Sequence, residues 1–206
     1  MKNGSLKGKH FLTLEDFTPE ELRYLLDLSI QLKREKKAGI DQKKNIGKNM
    51  LLLFEMESTR TRCSFETAAP DLGMGTTYLS NSHFGTKETI KDSMRVFSAM
   101  YDVIAYRGME HEQLLKMAEY STIPIINGYT MHEHPTQMLA DFMTLDEVYG
   151  REGYKGKTFV YIGRGGACCA FSYAVACAMF GMNFKFITSF GGGRLPAHQG
   201  GAGDLL

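Results

Sequence analysis

The sequence predicts an α/β protein: a doubly wound parallel sheet with helices on both faces, followed by the start of a second α/β domain. Three observations carry this expectation. Short apolar runs of strand length alternate with stretches of helical periodicity as far as Gly150. The polar clusters fall where a strand-like run hands over to a loop or helix, which is where open parallel sheets bind ligands. Beyond Gly150 the alternation resumes with Thr158 to Ile162 and Cys168 to Phe180. The expected divisions are a first domain at 1–150, a partial second domain at 151–188 and a Gly-rich, disordered tail at 189–206.

The first helix is announced by its own chemistry. Thr18 suits an N-cap, Pro19 the first helical position, and Glu21 completes a Thr-x-x-Glu capping box. Leu22, Leu25, Leu26 and Leu32 follow at helical spacing. Lys33 to Lys37 put positive charge at the C-terminal end, and Gly39 is placed to end the helix. Met50 to Phe54 reads as a short buried strand. Thr61 to Ala69 reads as a helix running towards Gly73, with a kink or early end at Pro70, because proline inside a helix removes a hydrogen bond.

Thr76 to Leu79 is the next expected strand, and Ser80 to Thr86 a polar loop. Lys87 to Met100 is an expected helix with Ile90, Met94 and Phe97 inward. Asp102 to Tyr106 is a strand ending at Arg107-Gly108, Glu112 to Tyr120 a helix, and Ile123 to Ile126 a strand. After the loop Asn127 to Glu133, Pro135 starts a helix carrying Gln137, Leu139, Phe142 and Leu145. Gly150 to Lys157 reads as a hinge or linker. No internal repeat is apparent.

Composition narrows the partners. Lys and Arg number 24 against 23 Asp and Glu, a net charge of +1, so no global field favours nucleic acid or an anionic membrane. No run approaches the roughly 20 apolar residues of a membrane span, and the first ten residues lack the apolar core of a secretory signal. The cysteines Cys63, Cys168, Cys169 and Cys177 form no CxxC pair, which points to thiols in a reducing cytoplasm.

The chemistry concentrates in Ser58-Thr59-Arg60-Thr61-Arg62. A helix entered from a strand presents free N–H groups and partial positive charge. Hydroxyls at Ser58, Thr59 and Thr61 add donors, and Arg60 and Arg62 add forked charges suited to phosphate. The plainer alternative is a helix capped by Ser58 with both arginines in solvent. Taken singly, Arg107 reads as a salt-bridge partner and His134 as a packed histidine. His132-Glu133-His134 offers two alternate imidazoles without a third ligand, which is weak support for a metal. Arg164 to Ala170 is Gly-rich but fails dinucleotide spacing at Cys168.

Ser58 to Arg62 followed by Cys63-Ser64-Phe65-Glu66, then Arg107-Gly108, then His134-Pro135-Thr136-Gln137 resembles the aspartate/ornithine carbamoyltransferase family over roughly residues 5–163. The opening Leu6 to Leu12 and the stretch Leu139 to Thr144 resemble its ornithine branch. The resemblance implies that residues 1–150 bind carbamoyl phosphate through Ser58, Thr59, Arg60, Thr61, Arg107, His134 and Gln137. It implies that Arg107, His134 and Thr61 serve catalysis by stabilising charge on the carbonyl oxygen. His83 and Lys87 would reach into a neighbouring subunit of a homotrimer, although His83 stands where the family typically has Gln.

The implied reaction is transfer to the side-chain amine of ornithine, giving citrulline in arginine metabolism, with no cofactor and no metal. Putrescine or another amine is an alternative acceptor. A chain that binds carbamoyl phosphate without turnover is an alternative of another class. The family holds its acceptor with an Asp-x-x-Asn-Asn-like stretch, where this sequence has Gly163-Arg164-Gly165-Gly166-Ala167-Cys168. Its other acceptor motifs do not occur in residues 164–206, so weak turnover is expected of the sequence as written.

Overall fold

The computed structural model describes residues 6–164 and 168–188. The tail expected to be disordered, 189–206, lies outside the described residues, as do Gly165 and Gly166. Twelve elements follow in the order α1 Pro19–Lys37, β1 Asn49–Phe54, α2 Arg60–Asp71, β2 Gly75–Leu79, α3 Ile90–Met100, β3 Val103–Arg107, α4 His111–Tyr120, β4 Ile125–Asn127, α5 Pro135–Tyr149, β5 Thr158–Ile162, α6 Cys168–Phe180 and β6 Asn183–Ile187.

The main sheet has the order β2-β1-β3-β4, and every pair in it is parallel. From β1 the chain moves outward one way to β2 and the other way through β3 to β4. The gap above β1 and β3 is therefore the point where the winding reverses, the natural ligand crevice of an open α/β sheet. Strand β1 is buried on both faces, as central parallel strands are. Leu51 and Leu53 join a core with Met94 of α3 and Leu114 and Met117 of α4. Met50, Leu52 and Phe54 pack on the opposite face with Ala69 of α2. Helices thus cover both faces, as the alternation of apolar runs implies.

A third core joins α1, α5 and α6 through Leu22, Leu26, Met138, Phe142, Ala176 and Phe180. Strands β5 and β6 form a separate parallel pair. Strand β6 is not among the elements expected from the sequence. Tyr154, inside the stretch expected as a hinge, is fully buried and meets Phe142 edge-on at 5.3 Å. Beneath it Arg23 bridges Asp146 at 2.5 Å and Asp27 at 2.8 Å.

Boundaries move by a few residues where capping decides them. Thr18 and Glu21 form the expected capping box. The third helix starts at Ile90 rather than Lys87, because Thr89 is extended and its hydroxyl accepts from the Asp92 N–H. Pro70 sits one residue before the end of α2, and Gly73 takes a positive φ of 85° just beyond it.

Candidate functional site

Helix α2 opens differently from its neighbours. The N-caps of α1 and α3 are extended threonines that bond back to the helix. Thr59, at the N-cap of α2, has φ −86° and ψ −63° and makes no side-chain capping bond. The helix entrance is therefore left with donors directed outward and with positive partial charge. Ser58 is half-buried, Thr59 and Arg60 are exposed, and Thr61 is half-buried. Arg62 leaves the cluster: its Nε pairs with Glu66 at 3.2 Å and its guanidinium lies 3.6 Å from the centre of the Tyr78 ring.

Arg107 ends β3, and in the parallel register it stands opposite Phe54, the last residue of β1. Its Nη1 donates to the Gly128 carbonyl at 3.3 Å, and its charge sits 4.4 Å from the Tyr129 ring centre. The buried Nε has no protein partner. Burial eases its pKa downward from the usual arginine value, though a guanidinium stays charged at any physiological pH. Gly128 links this residue to the loop after β1: a Cβ there would stand 3.6 Å from the Thr61 methyl and 3.1 Å from the Tyr106 carbonyl.

His134 is the N-cap of α5 and is 9% exposed. Its ring meets Tyr129 edge-on at 5.5 Å, so Arg107 and His134 share one aromatic neighbour. Thr136 Oγ1 lies 3.3 Å from Nδ1. Burial first, and the Arg107 charge second, hold the imidazole down at about 4, so it is neutral near pH 7. Thr61 and Arg107 thus both lie beside Gly128, and Arg107 and His134 both lie beside Tyr129.

Gln137 is exposed on the first turn of α5 and donates to Asp141 at 3.0 Å, and Asp141 also accepts from Tyr173 of α6 at 2.6 Å. His83 and Lys87 are exposed on the segment before α3 and make none of these contacts. The His83 carbonyl instead closes a turn, accepting from the N–H groups of Thr86 and Glu88.

Several supporting residues escape a reading of the sequence. Asn127 is fully buried, donates to the Leu12 carbonyl at 2.8 Å and accepts from the Tyr129 N–H at 2.9 Å, which shapes the loop before His134. An Asn at the end of a strand was the one available signal. Cys168 and Cys169 hold their sulfurs 3.8 Å apart. The Cys169 thiol beside it lowers the Cys168 pKa. Among the described residues no cluster of three or more His, Cys, Asp or Glu is arranged to hold a metal ion, and no helix is long and apolar enough to cross a membrane.

Residues 9–147 match the family model described as the carbamoyl-phosphate-binding domain of aspartate/ornithine carbamoyltransferase. The chain is 51% identical over 182 residues to the catabolic ornithine carbamoyltransferase of Treponema denticola, covering 87% of this chain and 53% of that one. It is 48% identical over 189 residues to a catabolic ornithine carbamoyltransferase of Staphylococcus epidermidis, covering 91% and 56%. The chain therefore spans about half the length of these relatives. Among solved structures, the anabolic ornithine carbamoyltransferase of Campylobacter jejuni superposes with a TM-score of 0.82 at 34% identity, covering 91% of this chain and 60% of that one. The enzyme from Burkholderia thailandensis gives 0.83 at 29%, covering 90% and 63%.

Proposed function

The chain belongs to the aspartate/ornithine carbamoyltransferase family, and from that premise we propose that it binds carbamoyl phosphate and delivers the carbamoyl group to the side-chain amine of ornithine. The amine nitrogen forms a bond to the carbonyl carbon, the bond from that carbon to the phosphate oxygen breaks, and phosphate leaves with the electron pair. The nitrogen sheds a proton, leaving citrulline. The observation that carries this proposal is the uncapped entrance of α2, with Arg60 exposed on it, beside Arg107 at the adjoining strand end.

The roles follow from charge. Ser58, Thr59, Arg60, Thr61 and the first N–H groups of α2 hold the phosphate. Arg107, Thr61 and His134 stabilise the negative charge that grows on the carbonyl oxygen, where one fixed donor typically contributes about 3 to 4 kcal/mol. In the tautomer in which Thr136 donates to Nδ1, the Nε2–H of His134 is available for that oxygen. Gln137 orients the carbamoyl amide after exchanging its bond to Asp141 for the ligand. No cofactor is needed, because each step is a displacement at one carbon.

Residues 1–150 are proposed as the carbamoyl-phosphate domain and 151–188 as part of the acceptor domain. The full assembly is proposed as a cytoplasmic homotrimer in which the exposed His83 and Lys87 serve a neighbouring subunit. A second proposal, binding without turnover, is favoured by Gly163-Arg164 in place of the acid and asparagines that hold the acceptor. Titration calorimetry with carbamoyl phosphate tests the first step. Arg60→Ala is expected to abolish measurable binding while the circular dichroism of the fold is unchanged. A folded variant with wild-type affinity would sink the assignment. A citrulline-forming assay with ornithine, then putrescine, separates the two proposals.

A further inference from the structure

Below the anion site, Tyr106 donates its phenolic hydroxyl to Glu55 Oε2 at 2.5 Å, and Gln113 Nε2 donates to the same oxygen at 2.8 Å. Tyr106 is fully buried in the core beneath α3 and α4. A buried tyrosine ordinarily finds some partner for its hydroxyl. Here the partner is the first residue after β1, three positions before Ser58, and the donor directly precedes Arg107.

The backbone repeats the connection on either side. The Glu55 N–H donates to the Arg107 carbonyl at 2.9 Å, and the Gly128 N–H to the Tyr106 carbonyl at 2.7 Å. Gly108 is required by the same contact: a Cβ there would overlap the Tyr106 hydroxyl and stand 2.9 Å from Glu55 Oε2. Gln113 also lies near the segment carrying His83 and Lys87, where a Cβ on Gly85 would make ordinary van der Waals contact with its amide nitrogen at 3.7 Å.

We propose that Glu55 and Tyr106 are positioning residues whose hydrogen bond fixes the separation between the Ser58–Thr61 loop and Arg107, so that one ligand meets both. This rests on the carbamoyl-phosphate reading of the site. Burial, and then the Glu55 carboxylate, push the Tyr106 hydroxyl far above its usual range, so it remains a donor throughout the physiological range. Neither side chain is required to touch the ligand. Their effect is geometric, and misplacement by a fraction of an ångström weakens a two-point grip.

The test compares Tyr106→Phe, Glu55→Ala, Glu55→Gln and the double variant Tyr106→Phe/Glu55→Ala. Affinity is read by calorimetry with carbamoyl phosphate and separately with inorganic phosphate. Amide hydrogen exchange of peptides covering residues 55–62 and 106–110 is read without ligand. Tyr106→Phe and Glu55→Ala are each expected to weaken carbamoyl-phosphate binding about tenfold and to speed exchange in both peptides. Glu55→Gln keeps an accepting oxygen and is expected to stay within about threefold of wild type. The double variant is expected to be no weaker than either single one.

Wild-type affinity and exchange in Tyr106→Phe would overturn the proposal. So would losses that add in the double variant, or a Glu55→Gln as impaired as Glu55→Ala. If Tyr106→Phe does not fold, the Glu55 pair still decides, because that residue is exposed. If wild-type protein binds neither probe, the carbamoyl-phosphate reading fails while the exchange comparison still judges the clamp.

Discussion

The backbone N–H of His134 donates to the hydroxyl of Ser172 at 3.0 Å, with both groups buried. The Ser172 hydroxyl in turn donates to the Cys168 carbonyl at 3.0 Å. One small side chain on α6 therefore holds the backbone of His134. Ser172→Ala leaves a buried N–H without a partner, which costs about 1 to 3 kcal/mol. A fall of that size in urea-denaturation stability is expected, and a change below a few tenths would show that the bond is replaceable.

Asp146 and Arg23 give a larger expected effect. Their side chains are 2% and 9% exposed, and the Asp146 carboxylate also accepts from the Glu152 N–H at 2.8 Å. Asp146→Ala leaves the buried Arg23 guanidinium only the partly exposed Asp27 as an acidic partner and is expected to cost up to about 3 kcal/mol. The double variant Arg23→Met/Asp146→Leu removes both charges and is expected to be less damaging than the single change. Guanidinium-denaturation midpoints compare them directly.

Glu133 gives stability a slope against pH. It is fully buried, one oxygen accepts from the Leu14 N–H at 3.0 Å, and the other has no partner. Burial raises its pKa to about 8. The folded chain holds this proton where the unfolded chain has lost it, so the contribution is complete below the unfolded value near 4.5 and disappears as pH rises to about 8. Glu133→Gln keeps the acceptor for Leu14. Its melting temperature is expected to match wild type in acid and exceed it above pH 8. Parallel profiles would contradict the burial argument.

His134 and His111 act in the opposite direction. Burial lowers each to about 4. The unfolded chain protonates near 6.5 and the folded one resists, so stability is full above 6.5 and declines as pH falls towards 4. His134→Gln is expected to flatten part of that acid limb. The imidazole resonances in NMR give the midpoints themselves, and a midpoint near 6.5 for His134 would refute its neutral role.

Local chemistry was legible in the sequence, and long-range pairing was not. Thr18 and Glu21 declare their helix because both halves of the capping box lie within four residues. Strand β1 shows itself as an apolar run, and the three site motifs fall at strand ends. By contrast, residue chemistry alone does not distinguish Arg60 from Arg62, and only the resemblance names Arg60. The neighbouring strand brings Tyr78 under Arg62, an engagement the sequence does not reveal. Gln137 points to the ligand by resemblance, yet its amide is held by Asp141 one turn on. Tyr154 lies in a Gly-rich, charged stretch that looks like a linker, and its burial depends on α5 and α6 packing over it. Glu55 and Ser172 are inconspicuous because their partners come from distant elements.

The Glu55–Tyr106 bond also bears on how the chain acquires its structure. Its ends are 51 residues apart in sequence, joined across β1 and β3 with α2, β2 and α3 between them. Parallel neighbours of this kind meet only after the intervening crossover has formed, and closing so long a loop costs chain entropy before any contact repays it. The proposed anion site therefore cannot be completed by α2 alone, because Arg107 reaches it only through the β1–β3 pairing. On the proposed reading, the phosphate grip needs Arg107 in place and β3 paired with β1, so phosphate binding during refolding is expected to follow formation of that strand pair.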